Sequence, residues 1–229
     1  MTIHRRSWKF TTLLVCLISA LVIRPFLADG SVGRWVFLIA MTVFFVTAIR
    51  SLSGSRWPRQ TAVALGILCI SLRWASALHA AARGIAFGIA GHIAEILFIG
   101  FVVVMLLRAI FRSRHVTADE IAGAFAGYML IALAFGLVFS LVELTSPGSF
   151  RVEPALKGEW EQTDHREWLL SYFSCCTLMT IGYGDITPIH PAARALSVLE
   201  GMTGQLYLAV LVAVLVGVRV AQATRQRDG

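Results

Sequence analysis

The sequence predicts an all-α membrane protein with about six transmembrane helices plus one shorter helix and loop that re-enter from one face. Three observations lead there. Of 229 residues, 57% are hydrophobic and 14% charged, with a mean hydropathy of +0.75. An ordinary soluble domain is about half apolar and about a quarter charged. So little polar surface cannot cover a water-soluble globule, which excludes a soluble enzyme, a disordered tail and a secreted disulfide scaffold. Second, six segments are long and apolar enough to cross the ~30 Å hydrocarbon core, which takes ~20 helical residues. Third, the apolar run 168–179 is too short to cross as a helix, so it enters and leaves on the same side.

The six segments follow in order. The first covers residues 10–27, behind the basic Arg5, Arg6 and Lys9. A cleaved signal sequence is its rival reading, although no small-x-small site follows in Phe26-Leu27-Ala28-Asp29-Gly30. The second covers 34–49. The third, 60–82, is the weakest because Arg73 interrupts it. The fourth covers 85–110, the fifth 121–142 and the last 195–218. A polar stretch, 146–167, separates the fifth segment from the short run. The chain thus divides into a four-helix region (1–115), a second membrane module (116–220) and a short tail (221–229).

Charge sets the expected orientation, since Lys and Arg collect on the cytoplasmic side. Arg50, Arg56, Arg59, Arg108, Arg112, Arg114, Arg219, Arg225 and Arg227 fall on one side together with the basic N-terminus. The 146–167 loop is acidic, with Glu153, Glu159, Glu161, Asp164 and Glu167. Both termini are therefore expected in the cytoplasm, in a plasma (inner) membrane, with the re-entrant loop opening outside. The net charge of +7 reads as lipid-headgroup anchoring rather than nucleic-acid binding. Cys16, Cys69, Cys175 and Cys176 all lie in apolar runs without metal-site spacing and read as small buried residues.

The chemistry concentrates in Thr177-Leu178-Met179-Thr180-Ile181-Gly182-Tyr183-Gly184-Asp185. Glycine reaches backbone angles closed to other residues. Alternating it with Ile and Tyr lets successive carbonyls point one way while the side chains pack outward. Carbonyls without partners are costly in a membrane unless something satisfies them, and a dehydrated cation does. The negative end of the preceding helix dipole also favours a cation.

Thr180 to Asp185 closely resembles the filter signature of the potassium-channel pore family. The resemblance covers about residues 121–219. It implies an outer helix, a re-entrant pore helix, a selectivity-filter loop and an inner helix, with four modules around one axis. One loop per chain then implies a homotetramer in lipid. It assigns K+ coordination to the carbonyls of Thr180, Ile181, Gly182, Tyr183 and Gly184, with the Thr180 hydroxyl closing the innermost site. Tyr183 faces away from the axis and packs against the pore helix. Asp185 sits at the outer mouth; where many relatives support it with a Trp or Glu, this chain has Tyr172 and Cys176. A Tyr172 hydroxyl bond to Asp185 is the expected support, with Thr177 beside it. Gly204 lies twenty residues beyond Gly184, where family inner helices often carry a gating hinge. For Gly201 and Gly204 close helix packing is an equal alternative. Glu200 is an acid within a span and is expected to face protein behind the filter; Thr203 and Gln205 are expected to bond across helices.

Four helices ahead of such a module suggest a voltage sensor, but sensing needs several basic residues three apart on one span. No such row exists. Arg73 and Arg83 are ten apart, and Arg108 and Arg112 sit near a helix end. Arg73 is expected to pair with Glu95. His92, one turn from Glu95, reads as a polar contact, with a metal or proton site as the alternative; His79 and His165 carry no assignment. The reading is a potassium-selective channel conducting passively, without cofactor and without enzymatic activity. Rivals are a weakly selective cation channel, a potassium-transporter subunit and a non-conducting channel-like receptor.

Overall fold

The computed structural model describes residues 8–23, 31–52, 56–78, 84–112 and 117–227. Arg5, Arg6, His79, Arg83 and Arg114 lie outside them, as do residues 24–27 of the first expected span. Helices stand at all six expected places: α1 (Lys9–Ile23), α2 (Ser31–Ser51), α3 (Arg56–Leu78), α4 (Ile85–Arg112), α5 (Ala118–Thr145) and α8 (Pro191–Arg227). Between α5 and α8 come β1 (Phe150–Val152), a 3-10 turn at Pro154–Leu156, α6 (Lys157–Trp160), α7 (Thr163–Leu178) and β2 (Ile186–Pro188).

Among the described residues, α4, α5 and the Pro191–Val214 part of α8 are long and apolar enough to cross a membrane. Residues Lys9–Ile23 and Leu38–Ser51 are apolar but shorter, and α3 carries Arg56, Arg59 and Arg73. At 28 residues each and about 1.5 Å per residue, α4 and α5 exceed the hydrocarbon thickness. The last helix does not stop at Val218. It runs through the expected tail to Arg227, since no proline follows Gly217 to end it.

Helix α5 is the hub. It packs against α1, α4, α7 and α8, while α1–α2, α2–α3 and α3–α4 are neighbours in sequence order. Its start is fixed by a capping box: Asp119 N–H donates to the Thr117 hydroxyl, and the Thr117 N–H donates to Glu120. Asp119 reaches further, accepting from both the N–H and the hydroxyl of Thr11 at 2.9 Å, so the N-terminal ends of α1 and α5 are fastened together. One core joins Leu13, Leu17, Phe44, Phe45, Phe98, Val102, Leu106 and Leu130. A second gathers Phe139, Phe150, Leu169, Leu170, Phe173 and Ile186 around the excursion after α5.

That excursion starts and ends in one place. Strands β1 and β2 pair antiparallel, with Phe150 opposite Pro188 and Val152 opposite Ile186, and Glu153 N–H donates to the Asp185 carbonyl at 2.8 Å. The two three-residue strands were not foreseen, being too short to show a period of two. Helix α7 begins at Thr163, five residues ahead of the apolar run, because its first turn lies in the polar stretch. Its 16 residues span about 24 Å, still under ~30 Å.

Candidate functional site

Where α7 ends, the backbone changes hand at every second residue. Thr180 has φ +58°, Gly182 +62° and Gly184 +82°. Glycine takes these angles freely, whereas a β-branched threonine there is a rare outlier costing about 1–2 kcal/mol. Two bonds from the helix end impose it: Thr180 N–H donates to the Thr177 carbonyl at 3.0 Å, and Ile181 N–H to the Cys176 carbonyl at 2.8 Å. Cys176 and Thr177 thus support this segment through their backbone, the Thr177 hydroxyl turning back to Phe173. Among the described residues, no hydrogen bond reaches the carbonyls of Thr180, Ile181, Gly182, Tyr183 or Gly184. All five residues are exposed on the single chain, Tyr183 by 69%.

The wall behind them is aromatic. The Tyr183 ring lies parallel to Tyr172 at 6.4 Å, and Tyr172 stacks on Trp168 at 5.9 Å. Trp168 and Tyr172 are one turn apart on α7, so the stack continues the helix face to the loop. The Tyr172 hydroxyl donates to Asp185 Oδ2 at 2.7 Å, the expected bond. Asp185 Oδ1 accepts from Ile186 N–H. One side chain thus links helix, loop and β2.

Below the loop, two helices close on the last carbonyl of α7. Tyr128 of α5 donates its hydroxyl to the Leu178 carbonyl at 2.8 Å. On α8, a Cβ at Gly204 would stand 2.5 Å from that same oxygen. Gly204 is therefore a close-packing position, while at Gly201 a Cβ would meet nothing within 4 Å. Glu200 is fully buried between helices, bonded to Ser174 of α7, whose hydroxyl also lies 2.5 Å from the Ala132 carbonyl of α5. Thr203 differs from expectation: its hydroxyl bonds back to Leu199 within α8, because a helical carbonyl one turn away is nearer than another helix. Gln205 faces outward.

Arg73 does pair with Glu95, its Nη2 donating to Oε2 at 2.8 Å. It also reaches Glu167 in the first turns of α7 at 3.2 Å. His92 contacts the Gly88 carbonyl through Nδ1 and faces Glu167 Oε1 at 3.6 Å. The four-helix region is thereby tied to α7 by charge. The sequence reading placed Glu167 in the acidic loop and missed its contacts with Arg73 and His92, and it missed Ser174 and Tyr128 altogether. Glu167 is 75 and 94 residues from its partners His92 and Arg73, and a lone Ser or Tyr within an apolar run has no spacing to mark it.

No curated protein and no solved structure matches this chain. Residues 127–220, from the middle of α5 to beyond the apolar part of α8, match the family model described as an ion channel. The match takes in most of the hub helix, all of α7, the carbonyls of residues 180–184 and most of the last helix, and with the apolar helices it supports a membrane protein with an ion channel pore.

Proposed function

We propose that the chain is one subunit of a potassium-selective channel. Four copies surround one axis, and α7 with residues 180–184 serves as a re-entrant pore helix and filter. The observation that carries this is five consecutive carbonyls without hydrogen-bond partners among the described residues, on a backbone alternating in hand, within a chain of apolar helices. In hydrocarbon each such group costs several kcal/mol unless satisfied, and a ring of carbonyls replacing the hydration shell of K+ satisfies them. Exposure supports the assembly. Met179, Ile181 and Tyr183 in the loop, with Val198, Met202 and Leu206 on one stripe of α8, present apolar surface that further copies would cover.

In this reading K+ passes down its gradient between carbonyl sites. Thr180 contributes its hydroxyl at the inner end, and Tyr183 sets the diameter from behind. Asp185 and Tyr172 hold the outer end. Apart from the Thr180 hydroxyl, the coordinating atoms are backbone carbonyls, and this reading invokes no cofactor.

Flux into liposomes tests it. Purified protein in potassium-loaded vesicles should drive uptake of a membrane-permeant cationic dye or a proton-coupled dye. Flux should be strong with potassium, weak with sodium and absent for Gly182→Asp. Equal flux of both ions would refute selectivity. No flux from protein shown to be tetrameric would refute conduction under the conditions used and favour the receptor reading.

A further inference from the structure

We propose that Glu200 is a neutral, proton-donating carboxylic acid that positions the pore helix through Ser174; its effect on conduction rests on the filter reading above, its protonation does not. Three helices meet at this point, and all three groups are buried: Glu200 on α8, Ser174 on α7 and the Ala132 carbonyl of α5. The Ser174 oxygen is in hydrogen-bond contact with both other oxygens. A serine hydroxyl has one proton to give. The Ala132 carbonyl has none, so that contact is attractive only if Ser174 donates to it. The Ser174 lone pairs then face Glu200, and a proton must come from the carboxyl group. An ionised Glu200 would leave one of the two contacts as oxygen against oxygen.

The second carboxyl oxygen points to the same state. Glu200 Oε2 is buried without a hydrogen-bond partner. A carboxylate spreads its charge over both oxygens, and burying that charge without donors costs far more than burying one carbonyl-like oxygen. Among the described residues, no countercharge compensates. The ionisable groups facing Glu200 are Tyr128 of α5 and Cys175 of α7, neither of them cationic. Among the described residues the ion pairs lie elsewhere.

The chain of bonds therefore runs from Glu200 to Ser174 to Ala132, stitching α8 to α7 to α5 six residues ahead of Thr180. Glu200 touches no filter atom. It acts by fixing the helix whose terminal carbonyls hold Thr180 and Ile181. Deprotonation removes the donor and places a charge in a dry contact, loosening that helix, so alkaline pH acts against the filter.

Infrared spectra read the proton directly. At neutral pH, the wild type should show a protonated-carboxyl C=O band that shifts in D2O and is missing from Glu200→Gln. If the two spectra coincide in that region, the proposal fails, whatever the protein conducts. Liposome flux then reads the positioning role. Glu200→Gln, whose amide also donates to Ser174, should conduct like the wild type but lose its decline at alkaline pH. Ser174→Ala should lower potassium flux about tenfold, the worth of one buried hydrogen bond. A Glu200→Gln profile that follows the wild-type pH curve, or unchanged flux in Ser174→Ala, would overturn the positioning role.

Discussion

Thr180 pays for its position in backbone strain, and the bonds from Cys176 and Thr177 hold it there. Tyr172 has a comparable task at the other end of the loop, where its hydroxyl meets Asp185. Tyr172→Phe keeps the ring stack with Trp168 and Tyr183 and removes only that bond. We expect it to destabilise the loop by about 1.5–3 kcal/mol, the range for a hydrogen bond to a charged group. The measurement is thermal stability of the purified protein in low potassium, which should fall while the preference for potassium over sodium remains. The Tyr172–Asp185 bond was legible in the sequence, because a family motif fixes both positions and Tyr supplies a donor. Ser174 was not legible, since a hydroxyl in an apolar helix gives no clue to whether it turns back on its own helix, as Thr177 does, or crosses to another.

Between α7 and its neighbours, distance decides. Gly204→Ala would place a methyl group 2.5 Å from the Leu178 carbonyl, a backbone atom at the foot of the loop. Overpacking of this kind costs about 1–3 kcal/mol. Gly201→Ala meets open space on the single chain and should be tolerated. Melting curves and potassium flux of the two variants should therefore diverge, with Gly204→Ala impaired in both; the reverse order would show that Gly201 bends and Gly204 does not matter. The sequence left hinge and packing undecided because both use glycine at helical spacing, and the Leu178 contact is a packing constraint at Gly204 that spacing could not reveal. The charged tie between α3, α4 and α7 behaves differently. Removing the guanidinium in Arg73→Gln leaves Glu95 buried without its cation, which costs about 3–5 kcal/mol. Unfolding midpoints should show that loss, and Glu167→Gln, with Arg73 still paired to Glu95, should cost less.

For the whole molecule, helices at six places and the position of the loop were readable from hydropathy and one motif. The hub role of α5, the β1–β2 pairing and the reach of Arg73 to Glu167 were not, because each joins residues distant in sequence without periodic signal. The proposed assembly makes a further prediction. Light scattering of detergent-solubilised protein should give a protein mass four times 25.0 kDa. A monomer would leave the loop carbonyls without the ring that the proposed function requires.

The fastening of Thr11 to Asp119 bears on how such a chain comes to be made. Its two halves are 108 residues apart, so α1 leaves the ribosome long before its partner exists. Synthesis proceeds from the N-terminus, and closing so long a loop carries its entropic cost before any contact repays it. The first helix must therefore wait with a provisional set of neighbours. Its buried Leu13 and Leu17 find their final seat only when α5 inserts. Docking of the last-made module thus completes the first-made one, and the N-terminal bundle matures from its far end backwards.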